Sequence, residues 1–83
     1  MIRLTPRLCR AARALAGFNQ EDLSEASGVS KSTIGAFEIK GEGSRLATMN
    51  NRALVQTFEQ AGLRFVEENG GGHGVRFERP RPK

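Results

Sequence analysis

Residues 19–38 read NQEDLSEASGVSKSTIGAFE, and this stretch decides the fold. Asn19 and Ser30 are residue types that cap helix N-termini, and each precedes a short segment with apolar side chains at helical spacing. Gly28 stands between the two segments, where its freedom to adopt a left-handed backbone favours the end of a helix. Two short helices joined by a tight glycine turn form the core of a helix-turn-helix. The sequence therefore predicts helices over residues 20–27 and 31–39.

An apolar core has to hold these two helices at a fixed angle. The residues at core spacing are Leu23, Ala26, Val29, Ile34 and Phe37. We expect Ala26 to be buried where the two helices approach closely, because only a small side chain fits there. Gly35 costs about 1 kcal/mol relative to Ala inside a helix, so it marks either a close approach of another backbone or relaxed selection on that surface. The polar residues Lys31, Ser32 and Thr33 are predicted to face away from the core.

Two further helices are predicted outside this motif. The first begins after Thr5 as N-cap, with Pro6 at its first position. Its predicted buried stripe is Leu8, Ala11, Ala12, Leu15 and Ala16. The second follows a loop rich in glycine and has Thr48 as its cap. The predicted bounds are residues 6–16, ended by Gly17, and residues 49–61, ended by Gly62.

The C-terminal part of the chain changes character. Two segments in which apolar residues partly alternate flank a glycine-rich stretch, a pattern typical of a β-hairpin. The chain ends in RPRPK, whose two prolines and three cations predict an extended, mobile tail. The predicted segments are residues 63–67 and 75–78 for the strands, 69–74 for the turn and 79–83 for the tail.

The charge balance is basic, with 13 Lys plus Arg against 9 Asp plus Glu and a net charge of +4. This favours an anionic partner such as nucleic acid, the alternative being a protein that merely happens to be basic. Arg7, Arg10 and Arg13 are spaced by three residues, which indicates either a phosphate-binding stripe or a solvated face with one internal ion pair. The single cysteine, Cys9, excludes an internal disulfide and is expected to be a small core residue. Residues 1–10 lack the apolar stretch of a signal peptide and no apolar run is long enough to span a membrane, so we expect the cytoplasm.

No set of residues in the sequence indicates catalysis. The glycine-rich stretch before Val75 lacks the lysine and the Ser/Thr of a phosphate-binding loop. His73 is the only histidine, and one cysteine cannot complete a zinc site with it. No nucleophile is paired with a base. We therefore expect no enzyme activity, no catalytic residue, no metal and no cofactor.

The motif resembles the Cro/phage-repressor (XRE) family of helix-turn-helix transcriptional regulators. The residues that carry the resemblance are 12–23, 26–34 and 37–38, and the resemblance covers roughly residues 4–61. The hairpin is similar to the C-terminal extension of short members of that family. The resemblance implies a mainly α, lambda-repressor-like fold of four to five short helices followed by a C-terminal β-hairpin.

The resemblance also implies roles by position. The residues that would face base edges are Lys31, Ser32 and Ala36. The residues that would contact the DNA backbone are Gln20, Ser30, Thr33, Lys40, Asn50 and Asn51. Arg13 and Glu38 would form a structural ion pair rather than touch DNA. Because Ala36 stands where a long polar side chain is common, Lys31 would supply most of the reach of this surface.

These features predict a sequence-specific DNA-binding regulator, for example a repressor, that acts as a homodimer on an inverted-repeat operator at the bacterial nucleoid. Residues 1–62 would form the DNA-binding domain, 63–78 a hairpin that can make the dimer contact, and 79–83 a flexible basic tail. The alternative is a protein-binding module derived from a helix-turn-helix, such as an antiactivator or an antitoxin, whose partner would be another regulatory protein. The sequence does not decide between activation and repression.

Overall fold

The structure, a computed structural model, describes residues 1–67 and 72–78. In this part of the chain, four helices are followed by a two-stranded antiparallel sheet, which confirms the predicted fold class. The predicted tail, residues 79–83, and residues 69–71 of the predicted turn lie outside the described residues. The elements are α1 (Pro6–Ala16), α2 (Gln20–Ser27), α3 (Lys31–Glu38), α4 (Thr48–Gln60), β1 (Leu63–Val66) and β2 (Gly74–Phe77).

Local capping sets the ends of α1 and α2 as the sequence predicts. The Thr5 hydroxyl accepts a hydrogen bond from the backbone N–H of Leu8 at 3.1 Å, and Gly17 ends α1 with a φ of +74°. Asn19 accepts a hydrogen bond from the backbone N–H of Asp22, and Gly28 ends α2 with a φ of +80°. An L side chain is strained in this left-handed backbone, so the two glycines fix where the helices stop.

The fourth helix begins one residue earlier than predicted. Thr48 is its first residue, and the N-cap position is Ala47, which has no side chain to accept a hydrogen bond. The predicted cap by Thr48 is therefore wrong. The helix is held instead by packing, because Leu54, Val55 and Phe58 on its inner face are buried.

The core joins all four helices to the hairpin. Its buried apolar residues are Ile2, Leu4, Leu8, Cys9, Ala12, Leu23, Val29, Ile34, Phe37, Leu46, Leu54, Val55, Phe58 and Leu63. Leu15 and Ala16, which are also predicted to be buried, are half-buried and pack against this core. The two remaining predicted members, Ala11 and Ala26, are exposed and lie outside it. Each lies three residues after a buried leucine, on the flank of its helix that faces away from the core. In α1 the buried stripe is completed by Cys9 instead.

The N-terminal segment is fastened to α4 by a side-chain amide. Asn51 is 4% exposed, accepts a hydrogen bond from the backbone N–H of Leu4 at 2.9 Å and donates one to the carbonyl of Ile2 at 2.8 Å. Because the amide satisfies both backbone groups, Ile2 and Leu4 can bury their side chains beside the helix.

The hairpin packs against α1 and α4, whereas α3 packs against α1 and α2. Its register pairs Leu63 with Phe77 and Phe65 with Val75, and these four side chains form the face that covers the core. The ring of Phe65 meets the ring of Phe58 edge-on at a centroid distance of 6.0 Å. The hairpin and α3 therefore share α1 as a neighbour but otherwise pack against different helices.

Candidate nucleic-acid interface

The exposed face of α3 carries the residues predicted to face base edges. Lys31, Ser32 and Ala36 are all exposed. On the opposite side of the helix, Ile34 and Phe37 are buried and anchor it to the body. The structure thus brings the three predicted residues together on one surface, and their contact with DNA stays a prediction.

Ser30 and Thr33 form a small hydrogen-bonded unit at the start of this helix. The Ser30 hydroxyl accepts from the backbone N–H of Thr33 at 3.1 Å and donates to the Thr33 hydroxyl oxygen at 2.8 Å. The hydroxyl hydrogen of Thr33 is then free to point elsewhere, because its oxygen acts as the acceptor in this pair. Ser30 therefore orients a donor at the N-terminus of α3.

Gly35 makes room for a side chain and not for another backbone. A Cβ atom placed on Gly35 would lie 3.3 Å from Oε1 of Gln20, which is tighter than an ordinary contact. Of the two alternatives for Gly35, the close approach of another backbone is therefore wrong, because the nearest atoms belong to the flexible end of Gln20. The Nε2 group of that side chain donates to Oε1 of Glu38 at 3.0 Å. Gln20 thus links the first turn of α2 to the last turn of α3.

Arg13 and Glu38 form a bidentate ion pair between α1 and α3. Nη2 of Arg13 lies 2.8 Å from Oε1 of Glu38, and its Nε donates to Oε2 at 2.9 Å. The Glu38 side chain is 2% exposed and that of Arg13 20% exposed. The third guanidinium nitrogen of Arg13, Nη1, donates to the carbonyl of Phe18 at 3.2 Å. The pair therefore fixes the relative position of the first three helices.

The Glu38 carboxylate has a further donor that sequence reasoning missed. The Cys9 thiol donates to Oε2 of Glu38 at 3.2 Å. Burial and this bond to the carboxylate raise the pKa of Cys9 above its ordinary value. Cys9 and Arg13 are four residues apart on α1 and therefore face the same side of it, which is the signal that could have predicted a shared partner.

The ionised form of Glu38 is favoured in spite of its burial. Burial alone raises the pKa of this carboxyl, but the hydrogen bonds donated by Arg13, Gln20 and Cys9 outweigh it and hold the pKa below its usual range. In the described residues, no buried side-chain nitrogen or oxygen lacks a hydrogen-bond partner. The polar cluster at Glu38 is thus internally satisfied.

A basic cleft of about 400 Å³ lies between α1 and the segment that follows α3. Arg7, Arg10, Arg13 and Lys40 contribute the cations that line it. Arg10 donates to the backbone carbonyl of Glu38. The three arginines therefore divide: Arg13 is internal, Arg10 spans the cleft, and the side chain of Arg7 is 79% exposed. Because Arg7 and Arg10 are exposed and Arg13 forms an internal ion pair, the arrangement fits the second alternative for the arginine stripe, a solvated face with one internal ion pair.

Helices α2 and α4 offer different N-termini to an anion. In α2, Asn19 and Asp22 exchange hydrogen bonds in a capping box, and the first turn carries two carboxylates, those of Glu21 and Asp22. The first turn of α4 has no side-chain cap and no acidic residue. Its first backbone N–H groups and the positive end of its dipole are therefore better suited to a phosphate.

Of the two asparagines in that turn, only one is accessible. Asn50 is half-buried, whereas Asn51 is buried and both polar atoms of its amide are bonded to the N-terminal segment. We correct the predicted role of Asn51: its amide serves the fold, and a phosphate contact would require breaking two buried hydrogen bonds.

Other kinds of site find little support in the part of the chain that the structure describes. Residues 1–67 and 72–78 contain no group of His, Cys, Asp and Glu side chains close enough together to hold a metal ion. None of the helices in these ranges is long and apolar enough to cross a membrane.

Comparison with known proteins agrees with this geometry. The family model HTH_3, described as helix-turn-helix, matches residues 10–42. This segment holds α2, α3 and most of α1, and it includes both partners of the ion pair at Glu38. No curated protein matches the chain.

Proposed function

The match of residues 10–42 to the helix-turn-helix family model supports a DNA-binding regulator of the Cro/phage-repressor (XRE) type, and we propose that the chain is such a regulator and binds one operator sequence as a homodimer. The observation that carries the proposal is the exposed face of α3, which is anchored from behind by the cluster at Glu38. A helix of this kind fits the major groove, where each base pair presents a distinct pattern of donors and acceptors.

Base recognition rests on Lys31, Ser32 and Ala36. Lys31 is the longest of the three and donates to the acceptors of a guanine, while the Ser32 hydroxyl can donate or accept. Ala36 has only a methyl group, which packs against the methyl group of a thymine. Because this surface is small, the shape of the DNA contributes to recognition at positions that no side chain reaches.

Backbone contacts position α3 in the groove. The residues that we assign to phosphates are Gln20, Ser30, Thr33, Lys40 and Asn50. For Thr33, the support is its free hydroxyl hydrogen, and for Asn50 it is the uncapped turn in which it lies. Lys40 lines the basic cleft together with Arg10. This position of Lys40, away from the exposed face of α3, favours contact with a phosphate over contact with a base. Each phosphate neutralised by a cation makes the affinity fall more steeply with salt.

The hairpin supplies the dimer contact, as an extension of a DNA-binding domain formed by residues 1–62. The backbone N–H of Glu78 donates to the carbonyl of Gly62 at 2.8 Å, so Gly62 and Glu78 are a hydrogen-bonded pair. Because such pairs alternate along an antiparallel ladder, the backbone groups of Leu63 and Phe65 point away from β2. This edge of β1 can pair with the same edge of a second copy around a two-fold axis.

A truncation tests the dimer contact. A chain that ends at Gly62 should sediment as a monomer at a concentration where the full chain is a dimer. A truncated chain that remains folded and dimeric would show that the helices make the contact. A two-fold dimer places its half-sites about one turn of DNA apart, near 10 bp.

A protein-binding module is the second candidate function. The short side chains of Ser32 and Ala36, together with Ile39 at the end of α3, which is 87% exposed, favour contact with a protein surface. An antiactivator or antitoxin would use this surface for another regulatory protein. Lys31 and the donor at Thr33 favour DNA, and we therefore give DNA first place.

Selection of bound duplexes from random DNA decides between the two. The native chain should enrich one inverted repeat, and a Lys31→Ala/Ser32→Ala variant should lose that enrichment. A Gln56→Ala/Gln60→Ala variant, altered on an exposed part of α4, is the matched control and should behave like the native chain. If the folded native chain enriches no sequence at any salt concentration, the protein-binding function takes its place.

The regulatory outcome follows from the position of the operator. A dimer bound across a promoter excludes the polymerase, so we propose that the protein is a repressor that acts at the nucleoid in the cytoplasm. A reporter gene behind the selected operator should be expressed less when the protein is present, and increased expression would indicate an activator.

A further inference from the structure

The outer face of the hairpin carries two arginines directly opposite each other. Arg64 in β1 is paired with Arg76 in β2, and both are exposed on the side of the sheet that faces away from the core. The alternation that starts at Gly62 and Glu78 makes this a hydrogen-bonded pair, in which the two Cα atoms are about 5.5 Å apart. Two like charges at this spacing repel each other and destabilise the hairpin.

Little in the described part of the protein compensates for this repulsion. Nε of Arg64 lies 4.0 Å from Oε2 of Glu78, but both side chains are more than half exposed, and pairs of this kind contribute little. Arg76 has no carboxylate at ion-pair distance among residues 1–67 and 72–78. The remaining strand residues of this face are Val66 and Gly74, which carry no charge.

We propose that this outer face, through the guanidinium groups of Arg64 and Arg76, is a second nucleic-acid surface that binds the backbone of a duplex. Guanidinium groups bind phosphates in a bidentate manner, and a pair of them on a flat ribbon faces two phosphates at once. An acidic protein surface is the other conceivable partner, and the experiment below separates the two.

This surface is independent of operator recognition by α3. The hairpin packs against α1 and α4, and α3 packs against α1 and α2, so the two surfaces are carried by separate elements with different neighbours. A protomer that uses both surfaces contacts two segments of duplex. The inference therefore does not depend on whether α3 reads a specific sequence.

The experiment measures the affinity for a random-sequence duplex at several salt concentrations. An Arg64→Gln/Arg76→Gln variant should bind more weakly, and the slope of log affinity against log salt should decrease in magnitude by about 1.8, the value for two phosphate contacts. The same loss should occur in the Lys31→Ala/Ser32→Ala background, which separates this surface from α3. An Arg64→Lys/Arg76→Lys variant keeps both charges and should keep the slope.

The control must change the net charge by the same amount elsewhere. A Gln56→Glu/Gln60→Glu variant also lowers the net charge by two, from +4 to +2, at two exposed positions of α4. It should lower the slope by much less than the arginine variant does. Equal slopes for the two variants would overturn the proposal, because general electrostatics would then explain the loss.

Two further readouts complete the test. The arginine variant should unfold at the same temperature as the native chain or at a higher one, since removing the repulsion does not harm the fold; a lower temperature would indicate a structural role and overturn the proposal. Binding to a polyglutamate peptide is the second readout. If the arginine variant loses binding to this peptide while its binding to the duplex is unchanged, the surface serves an acidic protein and the proposal fails.

Discussion

Arg13 and Arg76 have the same guanidinium group but lie in opposite environments, one mostly buried and one exposed. Arg13 lies against a buried carboxylate that accepts two of its hydrogen bonds. Arg76 lies in the open, opposite a second arginine. The first arrangement stabilises the packing of three helices, and the second opposes the pairing of two strands. The basic charge of this small protein therefore divides into a part that stabilises the fold and a part that is available to a ligand.

The largest effect on stability is expected for the buried arginine, Arg13. Arg13→Ala leaves the Glu38 carboxylate buried without its main partner, which should lower the free energy of unfolding by about 3–5 kcal/mol. Urea denaturation followed by circular dichroism measures the change. Arg13→Lys, which keeps the charge but not the bidentate geometry, should lose less. A loss below about 0.5 kcal/mol for Arg13→Ala would show that the pair adds nothing to the fold.

The second-largest effect concerns an amide that serves the fold in the same way. Asn51→Ala removes two buried hydrogen bonds and leaves the N–H of Leu4 and the carbonyl of Ile2 without partners, at a cost of about 2 kcal/mol. Asn50→Ala is the neighbouring control and should change the stability by less than about 0.5 kcal/mol. In DNA binding the order should be reversed: Asn50→Ala should lower the affinity, because only Asn50 is expected to contact a phosphate, and folded Asn51→Ala should lower it less. Similar losses of stability in the Asn51→Ala and Asn50→Ala variants would contradict the structural role of the Asn51 amide.

Acid should weaken the cluster at Glu38 and leave the opposed arginines unaffected. The folded pKa of Glu38 is lower than its unfolded value of about 4.3, so its contribution to stability is complete above that value and is lost as the pH falls through the folded pKa. The free energy of unfolding should therefore fall below about pH 4. Glu38→Gln should be less stable at pH 7 and should lack this part of the pH dependence. An identical pH profile for both chains would refute the assignment.

The smallest effect on stability is expected for the exposed arginine, Arg76. Arg76→Gln removes the repulsion across the hairpin and should raise the free energy of unfolding by about 0.2–1 kcal/mol at low salt. Because salt screens exposed charges, the gain should shrink at high ionic strength. Thermal unfolding at two salt concentrations measures both quantities. A destabilised variant would mean that Arg76 makes a favourable contact in the folded chain.

Prediction from sequence succeeded where local chemistry decides the structure. Thr5, Asn19 and Ser30 cap their helices through their own side chains, and Gly17 and Gly28 end helices because they tolerate positive φ. Each of these features depends on residues within four positions along the chain. The bounds of α1 and α2 followed directly.

Prediction from sequence failed where the partner lies far along the chain. Hydrophobic periodicity identified a stripe but not its edges, so Ala11 and Ala26 were placed in the core although they lie on exposed flanks. Asn51 was assigned to DNA by its position, because nothing local shows that its amide bonds to residues 2 and 4. The contact of Gly35 with Gln20 likewise joins two helices whose crossing geometry the sequence does not specify.

The sequence alone therefore determined the four helices, the capping residues of the first three, the glycine turn, the hairpin and the resemblance to a DNA-binding family. The resemblance also implied the ion pair of Arg13 with Glu38. Only the tertiary structure decided the state of the other charges: Arg10 donates to a backbone carbonyl, and Arg64 and Arg76 lie opposite each other on the exposed face of the hairpin. The physical reason is that capping and periodicity act over one or two turns of chain, whereas the state of a charge depends on burial and on partners brought together by the whole fold.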